Sequence, residues 1–401
     1  MKYDVPAVIF SGGSEIVALS VAEALFTHHI PLIVIGMGKR SLIRDLPNVI
    51  AYRQITWPPV SKDLAIQELI RTFKKLGQYT QPLPVFPTED GGLRLLLEAK
   101  EALSPFLNIP NTPHLSMGGL DKAEFFEFLK NKGCENYLAP TIVLHSPEEA
   151  YKAFEQLGED VVFKPALKPF SMEMASMSSK VITAQSLQDN PAKIMARLEK
   201  AWQISPRWVA QKRLISLSGE ALWWGIRTQH GQLIDTTAYE RWKQPKMGGS
   251  GCWVEMKPIS ELQGTANTIL NALDFHGIAE IPFLENKDNK WQVIEFNPRP
   301  WLQVGLPEAA GLPLVLNLYL DMINSPLPSS SFSPKQNVQW VNPERMLIAA
   351  LSGDYDSKLK ALSQAIKVIL KADYKTIYST PFTGIRRRWI ARMLSKILQK
   401  S

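Results

Sequence analysis

The stretch GIAEIPFLENKDNKWQVIEFNPRPW, residues 277–301, decides how this chain folds. Two strand-forming runs, at 277–284 and 291–296, flank a polar turn at 285–289, which is the pattern of a β-hairpin. On the second strand Glu295 and Asn297 are two residues apart, so both side chains leave the same face, and Arg299 continues that line. A carboxylate and an amide oxygen side by side suit Mg²⁺, a hard cation that prefers oxygen and usually shares itself with nucleotide phosphates. Arg299 beside them can neutralise phosphate charge or hold an anionic substrate. Taken alone, the three residues read equally well as a solvated strand end with a structural arginine.

Working outward, the 401 residues are 45% hydrophobic, too long a chain for one ordinary core and enough for about two to four packed units. Upstream, a strand at 7–10, the turn Ser11-Gly12-Gly13-Ser14, a helical pattern through 24–26 and a strand at 31–36 form an α/β unit with a parallel sheet. A helix at 64–76, a strand at 83–86, a turn at 87–92 and a helix at 93–102 continue the alternation, giving a first α/β domain over 1–118. From Asp121 the pattern becomes a helix at 122–131, strands at 141–144 and 161–164 and a helix near 192–202, a subdomain over 119–205. Strands near 208–213, 222–228 and 233–239 are separated by turns such as His230-Gly231 and read as antiparallel. With the helix at 261–273 and the hairpin they make a second subdomain over 206–325, so the fold class is mixed α/β and α+β. Residues 325–334 read as a linker or exposed loop, and 326–401 as a C-terminal extension.

Composition removes several function classes. No run of about 18 apolar residues is present, and Asp4 interrupts the N-terminus, so the expectation is a cytoplasmic protein. Cys134 and Cys252 offer neither a disulfide framework nor a metal quartet, and the six histidines are not spaced as ligands. Of the net charge of +7, six units lie in Arg386, Arg387, Arg388, Arg392, Lys396 and Lys400, so the remainder is nearly neutral and a nucleic-acid-binding face is not expected. In that tail Trp389, Ile390, Met393, Leu394, Ile397 and Leu398 form one apolar helical face opposite the cations. It either docks on the protein's own core or lies on an anionic membrane surface through 386–401, at the inner membrane face. The pattern carries no signal for oligomeric state.

The hairpin resembles the metal-binding signature of ATP-grasp ligases, which ends in Glu-x-Asn-Pro-Arg, with most likeness to the D-aspartate ligase-like carboxylate-amine branch related to the carbamoyl-phosphate synthase large chain. The resemblance covers roughly residues 5 to 325, because Asp121-Lys122, Phe163-Lys164-Pro165 and Val209-Ala210-Gln211 follow in the family's order. It implies ATP and Mg²⁺ as cofactors, with Lys122 and Lys164 on phosphates, Gln211 to Ile215 as the hinge reading adenine, and Glu220 as a ribose contact or an ordinary strand residue. Glu295 and Asn297 would hold magnesium, and Arg299 and Arg241 would stand near the transferred group. Arg241 belongs to a stretch, 239–251, that resembles the family's basic, glycine-bearing loop. The Gly12-Gly13 turn and the 87–92 turn, with Glu89 and Asp90, would help bind the acceptor, or are simply tight turns. Two departures stand out. The position before Phe283, where the family carries a metal-binding carboxylate or amide, is Pro282, which leaves Glu280 two residues earlier, or Glu285 in the turn, to supply it. The loop 166–179 lacks glycine, so its serines and Lys180 would cover the phosphates instead.

These readings make the chain an ATP-dependent ligase joining small-molecule carboxylate and amine substrates through an acylphosphate. The alternatives are an ATP-binding regulatory protein without turnover, and a membrane-surface protein acting through its tail.

Overall fold

The computed structural model describes residues 3–12, 15–37, 41–56, 61–75, 79, 81–110, 112–158, 160–168, 182–183, 191–203, 205–214, 219–246, 248–328 and 334–398. The chain begins with β1 (Ala7–Ser11), α1 (Glu15–Phe26), β2 (Leu32–Met37), β3 (Val49–Ile55), α2 (Lys62–Lys75), β4 (Leu83–Pro87), α3 (Asp90–Glu98), α4 (Lys100–Leu103) and β5 (Leu107–Asn108). Their sheet has the order β3-β2-β1-β4-β5, and β1 pairs in parallel with both neighbours. All five residues of β1 are buried, as a central parallel strand covered on both faces requires. Val8 and Phe10 face a core with Leu69, Phe73 and Leu96, whereas Ala7 and Ile9 face a second core with Val21 and Leu25 of α1.

Next come α5 (Lys122–Asn131), β6 (Thr141–Leu144), α6 (Glu149–Leu157), β7 (Val161–Pro165), β8 (Ile182–Thr183), α7 (Pro191–Trp202) and β9 (Trp208–Lys212), with an antiparallel sheet ordered β6-β9-β7-β8. Asp121 caps α5 by accepting a hydrogen bond from the Glu124 N–H at 3.1 Å. The Lys122 N–H donates to the Ala166 carbonyl at 2.7 Å. That bond holds the start of α5 against the exit of β7.

The largest sheet is built from β10 (Glu220–Arg227), β11 (Leu233–Gln244), β12 (Ser250–Met256), β13 (Gly277–Glu285), β14 (Trp291–Val293) and β15 (Gln339–Val341), ordered β14-β13-β10-β11-β12-β15. Helix α8 (Ser260–Leu273) covers one face, and α9 (Gly305–Ala309) and α10 (Leu314–Met322) lie toward the other. Trp223 and Trp224 are adjacent on β10, so they enter opposite faces. Trp223 joins the core of α5 and α8, where glycine at 225 makes room for it: a Cβ there would lie 2.6 Å from the Trp223 ring. Trp224 stacks on Trp301 at 5.3 Å in the core shared with β1, α1 and α10. The first sheet and the largest sheet thus share one apolar interior, which fixes the ends of β1 and β4 relative to the hairpin.

The C-terminal part adds β15 to the edge of β12, then α11 (Pro343–Ser352), α12 (Lys358–Lys371) and α13 (Thr383–Leu398). Asn342 caps α11 with Pro343 at its first turn. Helices α11 and α12 pack on β11 and β12 through Trp242, Cys252, Met346, Ala361 and Ala365. In α13, Ile385 and Trp389 pack against the core beside α1, whereas Ile390 is 43% exposed. Among the described residues no helix is long and apolar enough to cross a membrane.

Three local expectations change. The turn at 87–92 is the end of β4 followed directly by α3 from Asp90. The second hairpin strand ends at Val293 and resumes only as a single bridge between Glu280 and Asn297. Residues 239–244 are strand, because Glu240 and Trp242 turn inward while β11 pairs with β12; four charged or amide side chains in six residues hid that alternation. Replacing Trp223, fully buried and donating to the Asp235 carboxylate at 2.6 Å, with alanine is expected to cost about 3–5 kcal/mol. Chemical unfolding followed by circular dichroism reads this; a loss under about 1 kcal/mol would contradict the packing.

Candidate functional site

Five strand or helix ends meet beside the hairpin. The start of α5 brings Lys122, the end of β7 brings Lys164 and then Lys168, and β13 with the segment after β14 brings Glu280, Glu295, Asn297 and Arg299. The paired ends of β10 and β11 bring Glu220, Glu240 and Lys243, and the start of α3 brings Asp90. Among the described residues this places five cations beside five carboxylates.

Glu295 is the hub. Its Oε1 lies 3.0 Å from Lys122 Nζ and 3.9 Å from Lys168 Nζ. Burial opposes its charge, but Lys122, Lys168 and Lys164 together outweigh that and hold the carboxyl well below the usual range. Asp90 likewise stays ionised against burial because Arg299 and Lys168 bind its two oxygens. Among the described residues Lys164 has no carboxylate in contact: its ammonium donates to Gln211 Oε1 at 2.8 Å and to the Ile294 carbonyl at 3.4 Å. Burial pushes its pKa down to about 8, only partly offset by Glu295. An incoming anion would raise it again.

The acid side is uneven. Glu280 accepts from Trp224 Nε1 at 2.8 Å and from Asn297 Nδ2 at 3.2 Å, and burial raises its pKa to about 7. Glu240 accepts from the Gly251 N–H at 2.8 Å, while burial pushes it up despite Lys243 at 3.5 Å. Lys243 also pairs with Glu220, and the two carboxylates hold it cationic against burial. Its main chain is fixed from the C-terminal part: the Tyr355 hydroxyl accepts from the Lys243 N–H at 2.6 Å and donates to its carbonyl at 2.7 Å, and the Tyr355 ring stacks on Trp242 at 4.5 Å. A recess opens between Asp90, Arg94, Lys122, Lys168, Glu295 and Asn297.

Of the residues singled out from the sequence, Lys122, Lys164, Gln211, Glu220, Glu280, Glu295, Asn297, Arg299 and Asp90 come together. Gly12 and Glu89 meet at the end of β1, where a Cβ on residue 12 would lie 1.7 Å from Glu89 Oε1. Lys180, Ile215 and Gly13 lie outside the described residues. Arg241 is not part of the cluster. It alternates with inward Glu240, binds Glu255 Oε2 at 2.9 and 2.6 Å and lies over the Tyr239 ring. Lys168, Glu240 and Lys243 were missed, although Lys243 stands in the same basic stretch as Arg241.

No family model matches the chain. No curated protein matches it either. Solved structures do resemble it. N5-carboxyaminoimidazole synthetase from Staphylococcus aureus is 16% identical with a TM-score of 0.60, over 88% of this chain and 86% of that one. Carboxyaminoimidazole ribonucleotide synthase from Aspergillus clavatus, complexed with ATP, is 15% identical with a TM-score of 0.64, over 84% and 82%. L-amino acid ligase from Bacillus licheniformis is 16% identical with a TM-score of 0.60, over 84% and 79%. The likeness is one of fold.

Glu240 supplies a pH test. Its folded pKa lies above the unfolded value, so the folded form binds the extra proton and stability falls as pH rises through that interval. Glu240→Gln is expected to flatten the decline in unfolding free energy between about pH 5 and pH 8 by about 1 kcal/mol or more. Equal declines in parent and variant would contradict a buried, raised Glu240.

Proposed function

We propose, from the premise that this chain has the ATP-grasp fold, that it binds Mg-ATP over the cluster around Glu295 and joins a carboxylate to an amine through an acylphosphate. The observation that carries this reading is Lys164, a buried ammonium without a carboxylate in contact among the described residues, set next to Lys122 and Lys168 around Glu295. Such a cation gains most from a phosphate. The names of the similar structures, a synthetase, a synthase and a ligase, support a joining reaction.

In this reading Lys122 and Lys164 take the α- and β-phosphates, and Gln211 holds the Lys164 amine in direction. Glu220, paired with Lys243, would face the ribose. The Glu280–Asn297 pair and Glu295 offer hard oxygen donors, which fit Mg²⁺; it asks for one or two carboxylates and completes its shell with phosphate and water. Bound there, Mg²⁺ would neutralise charge on the phosphates. Arg299 and Lys168, which now hold Asp90, would receive the substrate carboxylate. A carboxylate oxygen attacks the γ-phosphorus and the bond to the β-phosphate oxygen breaks, releasing ADP. The amine nitrogen then attacks the acyl carbon, loses a proton, and phosphate leaves. Positioning and charge stabilisation by Lys122, Lys164 and Arg299 would supply most of the catalysis, with no enzyme nucleophile.

A second reading, ATP binding without turnover, is favoured by one observation: Pro282 lies in β13 opposite Leu222 and offers no side-chain ligand. It predicts nucleotide binding without ADP release across carboxylate and amine panels. The ligase reading predicts ADP release with one matched pair of substrates, and a fall of at least about a hundredfold in Glu295→Gln. Unchanged turnover in that variant would refute the site assignment.

A further inference from the structure

We propose that the outer face of the α11–α12 helical hairpin is a docking surface for anionic membrane lipid. Of the eleven large apolar side chains that are exposed among the described residues, six lie on these two helices. On α12, Leu359, Ile366 and Leu370 are 83%, 48% and 74% exposed. Their spacings of seven and four residues put them in one row along the helix, at about 100° per residue. The buried row of the same helix, Ala361, Ala365 and Val368, is a different one and packs toward α11 and β12. The exposed row is therefore not left over from core packing.

Each of the three apolar residues is followed by a lysine: Lys360, Lys367 and Lys371, all exposed. A cationic row runs parallel to the apolar row, about 100° around the helix. Helix α12 contains no acid; Asp354 and Asp356 stand in the loop before it, and Asp373 after it accepts from the Gln339 N–H at 2.8 Å. On the neighbouring α11, Leu347, Ile348 and Leu351 are 37%, 53% and 54% exposed. An apolar strip edged by lysines matches a bilayer whose acyl boundary takes the leucines while anionic headgroups take the ammonium groups. A second copy of this chain would set the lysine row against another lysine row, and a neutral partner would leave the row unanswered. The surface meets the basic tail at the first turn of α11, where Trp389 donates to Glu344 at 3.1 Å. It is independent of the reading of the nucleotide site.

The test is co-sedimentation of the full chain with vesicles of phosphatidylcholine mixed with phosphatidylglycerol and with vesicles of phosphatidylcholine alone. Binding is expected to the anionic vesicles, weakening as salt rises from about 0.1 M to about 0.5 M. The triple variant Leu359→Ser/Ile366→Ser/Leu370→Ser and the triple variant Lys360→Glu/Lys367→Glu/Lys371→Glu are each expected to lose about tenfold in partitioning. All six positions are exposed, and circular dichroism checks that both variants fold. Four outcomes overturn the proposal: no binding, equal binding to neutral vesicles, unchanged binding by the folded triple variants, or binding lost only in Arg386→Glu/Arg387→Glu, which would place it on α13. A parent dimer that the serine variant dissociates would instead assign the face to self-association and overturn it as well.

Discussion

The carboxylate of Asp90, held between Arg299 and Lys168, is the interaction on which the site depends. It comes from the first sheet, while its two partners come from the hairpin segment and the exit of β7, so one group closes the space between three parts of the chain. Its position follows from packing alone: β4 pairs in parallel with β1, α3 begins three residues after β4 ends, and the Trp224–Trp301 stack sets Arg299 two residues away. Two opposite charges about 4 Å apart attract by about 4 kcal/mol at an effective dielectric of about 20. Breaking such a buried pair strands the partner, at about 3–5 kcal/mol. A substrate anion that displaced Asp90 would therefore have to offer the same cations equally good contacts.

The rest of the cluster is balanced in number but not in comfort. Glu295 and Asp90 are held ionised, whereas Glu280 is raised to about 7 and Lys164 is lowered to about 8 by burial. Groups shifted against their charged forms gain when counter-charge arrives. A polyphosphate with a divalent cation brings both signs at once, negative charge for Lys164 and positive charge for Glu280. The C-terminal part contributes through Tyr355, which grips both main-chain groups of Lys243. The helical hairpin that carries the outward apolar strip thus also supports one wall of the site.

Much of this was legible in the chain itself, and the reasons are local. The all-apolar run of β1 announces a doubly covered parallel strand, and the two-residue spacing of Glu295 and Asn297 places both on one face. Lys122 and Lys164 are legible only as members of an ordered set with the hairpin, through the resemblance, because a lone lysine at an element boundary is an ordinary solvated charge. What was hidden depends on parity or on distant contacts. Glu240 and Lys243 sit in a strand whose register shifts between Glu240 and Lys243, but the stretch reads as a basic loop, from which Arg241 is the residue the resemblance singles out. Asp90 looked like part of a turn because Gly91 and Gly92 follow it, yet they open α3. Lys168 carries no local pattern at all; only the folded chain brings it to an aspartate 78 residues earlier.

The most direct measurement is calorimetric titration of the folded chain with ATP in the presence of Mg²⁺, alongside Lys164→Met. The account predicts one nucleotide site per chain, with affinity about tenfold or more weaker in the variant because its buried cation is gone. Binding that is absent in the folded parent, or equal in parent and variant, would contradict it.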